Sequence, residues 1–193
     1  MTDEELIEEI KAGSKAALES LIQKYYYEVY SFIYRKTHQQ PLSYDLTQEV
    51  FSKVFLSIAL YKGEGKFRSW LLTIALNQIR DYMKSKQATK KSMENEWIEE
   101  TIEGKTGNVA YLYEKKEESR EIKEALKGLP EIQSEAIILK YFHGYKYYEI
   151  AEMTKSKETT VKSRVFQGLK KLSHILRRDD NEGRNRSNRI GRD

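Results

Sequence analysis

The feature that most constrains this chain is the spacing of its apolar residues, which recur every three or four positions almost throughout and nowhere alternate convincingly with period two. An all-α fold follows, built from amphipathic helices. Leu6, Ile10, Ala17, Leu18, Leu21, Ile22, Val29, Phe32 and Ile33 mark a first pair of helices. After Pro41 and Ser43, Leu46, Val50, Phe51, Val54, Phe55 and Ile58 mark another. Beyond the break KGEGK, the segment FRSWLLTIALNQIRDYMKSK is apolar through Leu72, Ala75, Leu76, Ile79 and Met83. The pattern then dissolves. Residues 87–118 are polar, acidic on balance and aperiodic, as a flexible linker would be. A second helical block starts near Ser119, with Pro130 placed to open a helix and Gly144 to close it. Past Arg178 the tail holds a single aliphatic residue, Ile190, and is expected to be disordered. The predicted organisation is two small helical domains, 1–86 and 119–178, with a linker over 87–118 and a loose tail over 179–193.

Charge divides along the same boundaries. Residues 1–86 carry 12 basic and 11 acidic side chains, 87–118 carry 5 and 8, and 119–193 carry 17 and 11, which places the positive excess in the last third. That asymmetry fits a polyanion-binding module. No cysteine is present, so disulfides, zinc–thiolate sites and a thiol nucleophile are all excluded, in keeping with a reducing cytoplasm. The acidic start MTDEELIEEI does not read as a secretory signal, and the uncharged run Ser69–Ile79 is about half the length of a membrane span. His38, His143 and His174 lie in separate segments without metal-ligand spacing, and no glycine loop suits a phosphate; neither an enzyme nor a cofactor is expected.

The run TTVKSRVFQGLKKLSHILRR holds six Lys or Arg and no acid. Val161, Val165, Leu169, Leu172 and Leu176 keep to one stripe of about 80° on a helix, with Lys162, Lys170, Lys171, Arg177 and Arg178 outside it. Upstream, YYEIAEMT followed by KSKE reads as helix and turn, with Ile150, Ala151 and Met153 facing the stripe and Ser156 expected as the N-cap. In a helix-turn-helix the N-terminal residues of the second helix reach base edges in the major groove. Lys157, Thr159, Thr160, Lys162, Ser163, Arg164 and Gln167 are therefore the candidate DNA contacts, cations for phosphates and Arg or Gln for bases. The competing reading is a solvated basic helix in a small bundle.

The words LPE at Leu129–Glu131, EIAE at Glu149–Glu152 and TVKSR at Thr160–Arg164 resemble region 4 of the extracytoplasmic-function (ECF) sigma factors of the sigma-70 family. YYYEVYSFIYRK, DLTQEVFSKVF and FRSWLLTIALNQIRDYMKSK resemble region 2 of the same family. The resemblance implies a subunit that recruits core RNA polymerase to promoter DNA, touching the β′ clamp helices and the β flap and held in check by an anti-sigma factor. It implies that Asp45, Leu46, Gln48, Glu49 and Phe51 dock on the clamp helices, with capping, solvation and, for Phe51, core packing as the alternatives. It further implies that Phe67, Arg68, Trp70, Asn77, Arg80 and Lys84 meet the minus-10 element, and the 157–167 set the minus-35 element. Aromatic faces hold unstacked bases, an amide reads a base edge and cations follow the backbone, although Phe67 and Trp70 also suit a core. Two departures stand out. The turn Thr154, Lys155, Ser156 replaces the family's usual Gly-aliphatic word, so that Lys155 must accept a left-handed backbone, and Phe166, Gln167 and Gly168 stand where HRA-like residues are common. A stand-alone helix-turn-helix regulator is the competing function; it leaves DLTQEVF and FRSWLLTIALN unexplained.

Overall fold

The computed structural model describes the backbone at residues 1–62, 65–92 and 120–190, and side chains at 1–62, 65–86 and 122–177. All regular structure among them is helical. The chain divides into two compact units, Met1–Thr106 and Gly107–Asp193.

In the first unit, α1 spans Asp3–Lys11, α2 Lys15–Thr37, α3 Gln40–Ser57 and α4 Phe67–Ser92, with one 3₁₀ turn at Ile58–Leu60. Thr2 and Glu5 form a reciprocal capping box on α1, and Ser14 caps α2. Pro41 falls in the first turn of α3, where a missing N–H breaks no helical bond. The core is the sum of the predicted stripes: Leu6, Leu21, Phe32, Ile33, Leu46, Val50, Leu72, Leu76 and Ile79 are all buried. Leu18, Ile22 and Met83 of those stripes are half-buried, and Phe55 is 56% exposed. Five positions after Val50, Phe55 stands about 140° round the helix from that buried residue, off the packed face.

In the second unit, α5 spans Arg120–Lys127, α6 Glu131–Ile137 with a wider final turn at Ile138–Phe142, α7 Tyr147–Thr154 and α8 Glu158–Ile190. Leu126, Leu129 and Ile137 form one cluster of its core, with Ile122, Phe142, Leu169, Leu172 and Ile175 packed around them; Ile138, Leu139, Ile150, Met153, Val161 and Val165 are buried as well. Gly168 is buried where α8 meets α6; a Cβ there would lie 2.7 Å from Ile137 Cδ1 and 3.2 Å from Gln133 Cβ. Its absence lets the two helices approach, which accounts for one departure from the family pattern.

Two boundaries differ from the sequence reading. α4 runs through Ser92, six residues into the expected linker, and α8 runs to Ile190, through most of the expected tail. Neither extension contains proline, and backbone hydrogen bonds continue a helix without an apolar stripe. The remainder of the expected linker, 93–118, and of the tail, 191–193, lies outside the described residues.

Candidate nucleic-acid interfaces

The turn between α7 and α8 is left-handed at Lys155, with φ 50° and ψ 43°, so a lysine occupies the conformation that glycine adopts without strain. The Ser156 N–H closes the turn on the Ala151 carbonyl at 2.9 Å. Ser156 does not cap α8, contrary to expectation. The first helical bond runs from Val161 N–H to the Lys157 carbonyl at 3.1 Å, which puts Lys157 at the cap position. The Ser156 hydroxyl instead donates to the Thr154 carbonyl at 3.3 Å and accepts from Arg164 Nη1 at 2.9 Å. Arg164 is thus half-buried and braces the turn.

The start of α8 presents Lys157, Thr159, Thr160, Lys162, Ser163 and Gln167 to the outside, while Val161, Val165 and Gly168 are buried. At about 100° per residue, Thr159, Ser163, Phe166, Gln167 and Lys170 share one outward arc. Gln167 bonds to Gln133 at 3.2 Å and to Ser163 at 3.3 Å, which fixes its amide. Lys162 pairs with Glu158 at 2.7 Å, a surface contact of little worth that phosphate would readily replace. Two features escaped the sequence reading. Phe166, 71% exposed, places a large apolar ring at one edge of the arc. Lys140 and Lys162 bracket the Tyr147 ring at 4.6 and 5.7 Å from its centroid, which brings a cation from α6 beside the start of α7. No local pattern in the sequence pairs residues so far apart.

On α4, Trp70, Asn77, Arg80 and Lys84 fall on one strip with Thr73, spaced 3, 4, 3 and 4, within about 80°. Asn77 and Lys84 are exposed, Trp70 and Arg80 half-buried. Asn77 lines a cleft of about 420 Å³ between α3 and α4, together with Lys53, Leu56, Ser57 and Ile74. Two residues grouped with the strip stand apart from it. Phe67 is 2% exposed and packs edge-on against Tyr25 and Tyr61, with ring centroids at 5.4 and 5.6 Å. Arg68 lies on the opposite side of α4, its guanidinium gripping Glu28 of α2 at 2.5 to 2.6 Å.

On α3, Asp45, Gln48 and Glu49 form an exposed polar face, whereas Leu46 at 2% and Phe51 at 7% exposure belong to the core. Phe51 stacks on Tyr26 at 6.2 Å. Glu49 also accepts a short hydrogen bond from the buried Gln78 amide of α4, so it ties two helices together. The exposed face continues into Phe55, Leu56 at 78% and Leu60 at 79% exposure, an apolar extension that the sequence reading assigned to the core or passed over. Burial raises the hydroxyl pKa of Tyr25, Tyr26 and Tyr30 above the ordinary value, with the Asp3 hydrogen bond adding to the effect at Tyr25. Among the described residues no group of three or more His, Asp or Glu is placed to hold a metal ion, and no helix is long and apolar enough to cross a membrane.

These two units coincide with two family matches. The family model described as Sigma-70 region 2 matches residues 21–89, and that described as Sigma-70, region 4 matches residues 119–172. The chain belongs to the sigma-70 family, among its ECF RNA polymerase sigma factors. It is 27% identical over 188 residues to the ECF RNA polymerase sigma-E factor of Escherichia coli, covering 92% of this chain and 98% of the relative. It is 25% identical over 182 residues to the RNA polymerase sigma-H factor of Pseudomonas aeruginosa, covering 90% and 93%. In fold it is similar to the sigma factor RpoE of Bartonella quintana, solved in complex with the anti-sigma factor NepR, with TM-score 0.68, 22% identity, and 82% of this chain and 96% of that one covered. CnrH, solved with the cytosolic domain of CnrY, gives TM-score 0.67 at 19% identity, covering 92% and 98%.

Proposed function

We propose that this protein is an ECF sigma factor that binds core RNA polymerase and directs promoter-specific transcription initiation, with α4 meeting the minus-10 element and the start of α8 the minus-35 element. The observation that carries this reading is that each matched region presents one outward strip with the chemistry its DNA requires. On α4, the Trp70 ring offers a stacking face, Asn77 an amide beside a cleft, and Arg80 and Lys84 cations for the exposed strand. Phe67 serves as support for Trp70, and Arg68 as a link to α2. On α8, Thr159, Thr160, Ser163 and Gln167 face base edges, Phe166 suits a thymine methyl, and Lys157, Lys162 and Lys140 take phosphates. Arg164 acts first by holding the turn.

Core polymerase docks on Asp45, Gln48 and Glu49, whose acids and amide complement a basic coiled coil, and on the adjoining Phe55 and Leu56. Leu46 and Phe51 shape that surface from beneath. An anti-sigma factor is the further partner that the family implies, and the site of action is the cytoplasm, where polymerase and DNA are. No chemical step is assigned to the chain. A stand-alone duplex-binding regulator would use α7 and α8 alone and leave the α4 strip idle.

Run-off transcription with purified core polymerase is the test, on a template whose start sites have been mapped after overproducing the protein. Initiation at one defined start, absent with core alone, is expected. A protein that shifts duplex DNA without core and leaves transcription unchanged would be a regulator.

A further inference from the structure

We propose that α1, which lies ahead of the region 2 match beginning at residue 21, is a brace that sets the orientation of Trp70, with Lys11 as its positioning residue. The inference rests on the reading of Trp70 as a minus-10 contact. Its structural basis is a continuous path of bonds and ring contacts. The Lys11 ammonium donates to the Tyr61 carbonyl at 3.1 Å, while also meeting Glu8 at 2.9 Å. That carbonyl ends the 3₁₀ turn Ile58–Leu60, where orphan acceptors seek cationic donors. The Tyr61 hydroxyl accepts the Lys66 backbone N–H at 3.1 Å, and the Lys66 carbonyl accepts the Trp70 backbone N–H at 3.0 Å in the first turn of α4.

A second path runs through the rings. Tyr61 lies 5.2 Å from Trp70 and 5.6 Å from Phe67, and Phe67 lies 5.6 Å from Trp70, all between centroids. Phe67 also meets Tyr25 at 5.4 Å. The Tyr25 hydroxyl donates to Asp3 at 2.5 Å, and Asp3 pairs with Lys24 at 2.7 Å. Both ends of α1 therefore hold the four-ring cluster, Asp3 through Tyr25 and Lys11 through Tyr61. Tyr25, Tyr61 and Phe67 are 7%, 7% and 2% exposed, and only Trp70 of the four reaches the outward strip. A stacking ring works when its plane is already fixed. Lys11 supplies that fixing from α1, a helix separate from the α4 strip.

The experiment uses the full chain carrying Trp97→Phe, so that Trp70 is its one indole. Lys11→Met removes the ammonium and keeps the stem; Lys11→Arg restores a donor. Acrylamide quenching of Trp70 reports the ring, permanganate reactivity of minus-10 thymines in the reconstituted holoenzyme reports strand opening, and titration with core polymerase reports docking. The expected result is that Lys11→Met raises the quenching constant about twofold and lowers the opened fraction about fivefold, the scale of one ordinary hydrogen bond. Core affinity should stay within about twofold and Lys11→Arg should return both readings, since only the donor differs. Unchanged quenching with Lys11→Met would overturn the brace, as would failure of Lys11→Arg to restore it. Trp70→Ala distinguishes the underlying reading: intact opening in that variant would sink the minus-10 role of Trp70, while the quenching result would still decide whether Lys11 orients the ring.

Discussion

The α4 strip and the start of α8 both face outward from helical units, yet they are held in place differently. Trp70 rests on a cluster of aromatic rings and on bonds that reach α1, and its neighbour Arg80 is half-buried. The outward residues at the start of α8 are exposed and, Phe166 apart, polar, and their positions depend on a tight apolar crossing at Gly168 and a left-handed turn at Lys155. A surface meant for unstacked bases needs a rigid flat face, whereas a surface meant for a duplex needs a rigid helix axis. The two strips solve these separate problems by separate means.

The largest effect is expected at Gly168. Gly168→Leu forces side-chain carbons into Ile137 and Gln133, and overpacking of this kind costs about 3 kcal/mol. Thermal melts should show the transition of the second unit falling by roughly 10 °C or more. Minus-35 duplex binding should be lost while core docking persists; simultaneous loss of docking would show the two units are not independent. Next comes Asn77→Ala. Its exposed amide makes none of the hydrogen bonds that hold the unit together here, so melting should be unaffected while opening of the minus-10 region falls about tenfold, within the range for one base contact. Full opening would remove Asn77 from the strip.

Lys155→Gly sharpens the contrast in the other direction. It relieves a left-handed lysine at a position where glycine is unstrained, and should stabilise the second unit by about 1 kcal/mol without altering promoter choice. A destabilised variant would mean that the Lys155 side chain makes contacts outweighing that strain. The smallest effect is on pH. Tyr25, Tyr26 and Tyr30 have native values raised by burial above the ordinary 10.0, so their contribution is intact below that pH and is lost as pH rises past it. The first unit should lose stability in alkali more steeply than the second, and Tyr25→Phe should flatten its slope.

Much of this was legible in the sequence because helix packing writes itself as a period. Val161 and Val165 lie buried as their spacing requires, α7 spans the residues expected of it, and the left-handed turn falls on Lys155. A period marks only a buried face, however. It says nothing about where a polar helix stops, which is why α4 and α8 outran their expected ends. Phe55 was misplaced because i+5 spacing from Val50 looks close in sequence and is far round the helix. Ser156 has the right side chain for a cap one residue too early. The links Glu49 to Gln78, Lys140 to Tyr147 and Lys11 to Tyr61 join separate elements, and no local signal announces them. Phe67 and Phe51 show the complementary problem, since an aromatic residue in a base-binding motif and one in a core look alike until burial is known.

Run-off transcription with core polymerase, crossing protein variants with promoter variants, shows whether each unit reads its own promoter element. Asn77→Ala should blunt the response to changes in the minus-10 element alone, and Gln167→Ala the response to changes in the minus-35 element alone. Both variants coupling to the same element, or no initiation above core polymerase by itself, would contradict that separate reading.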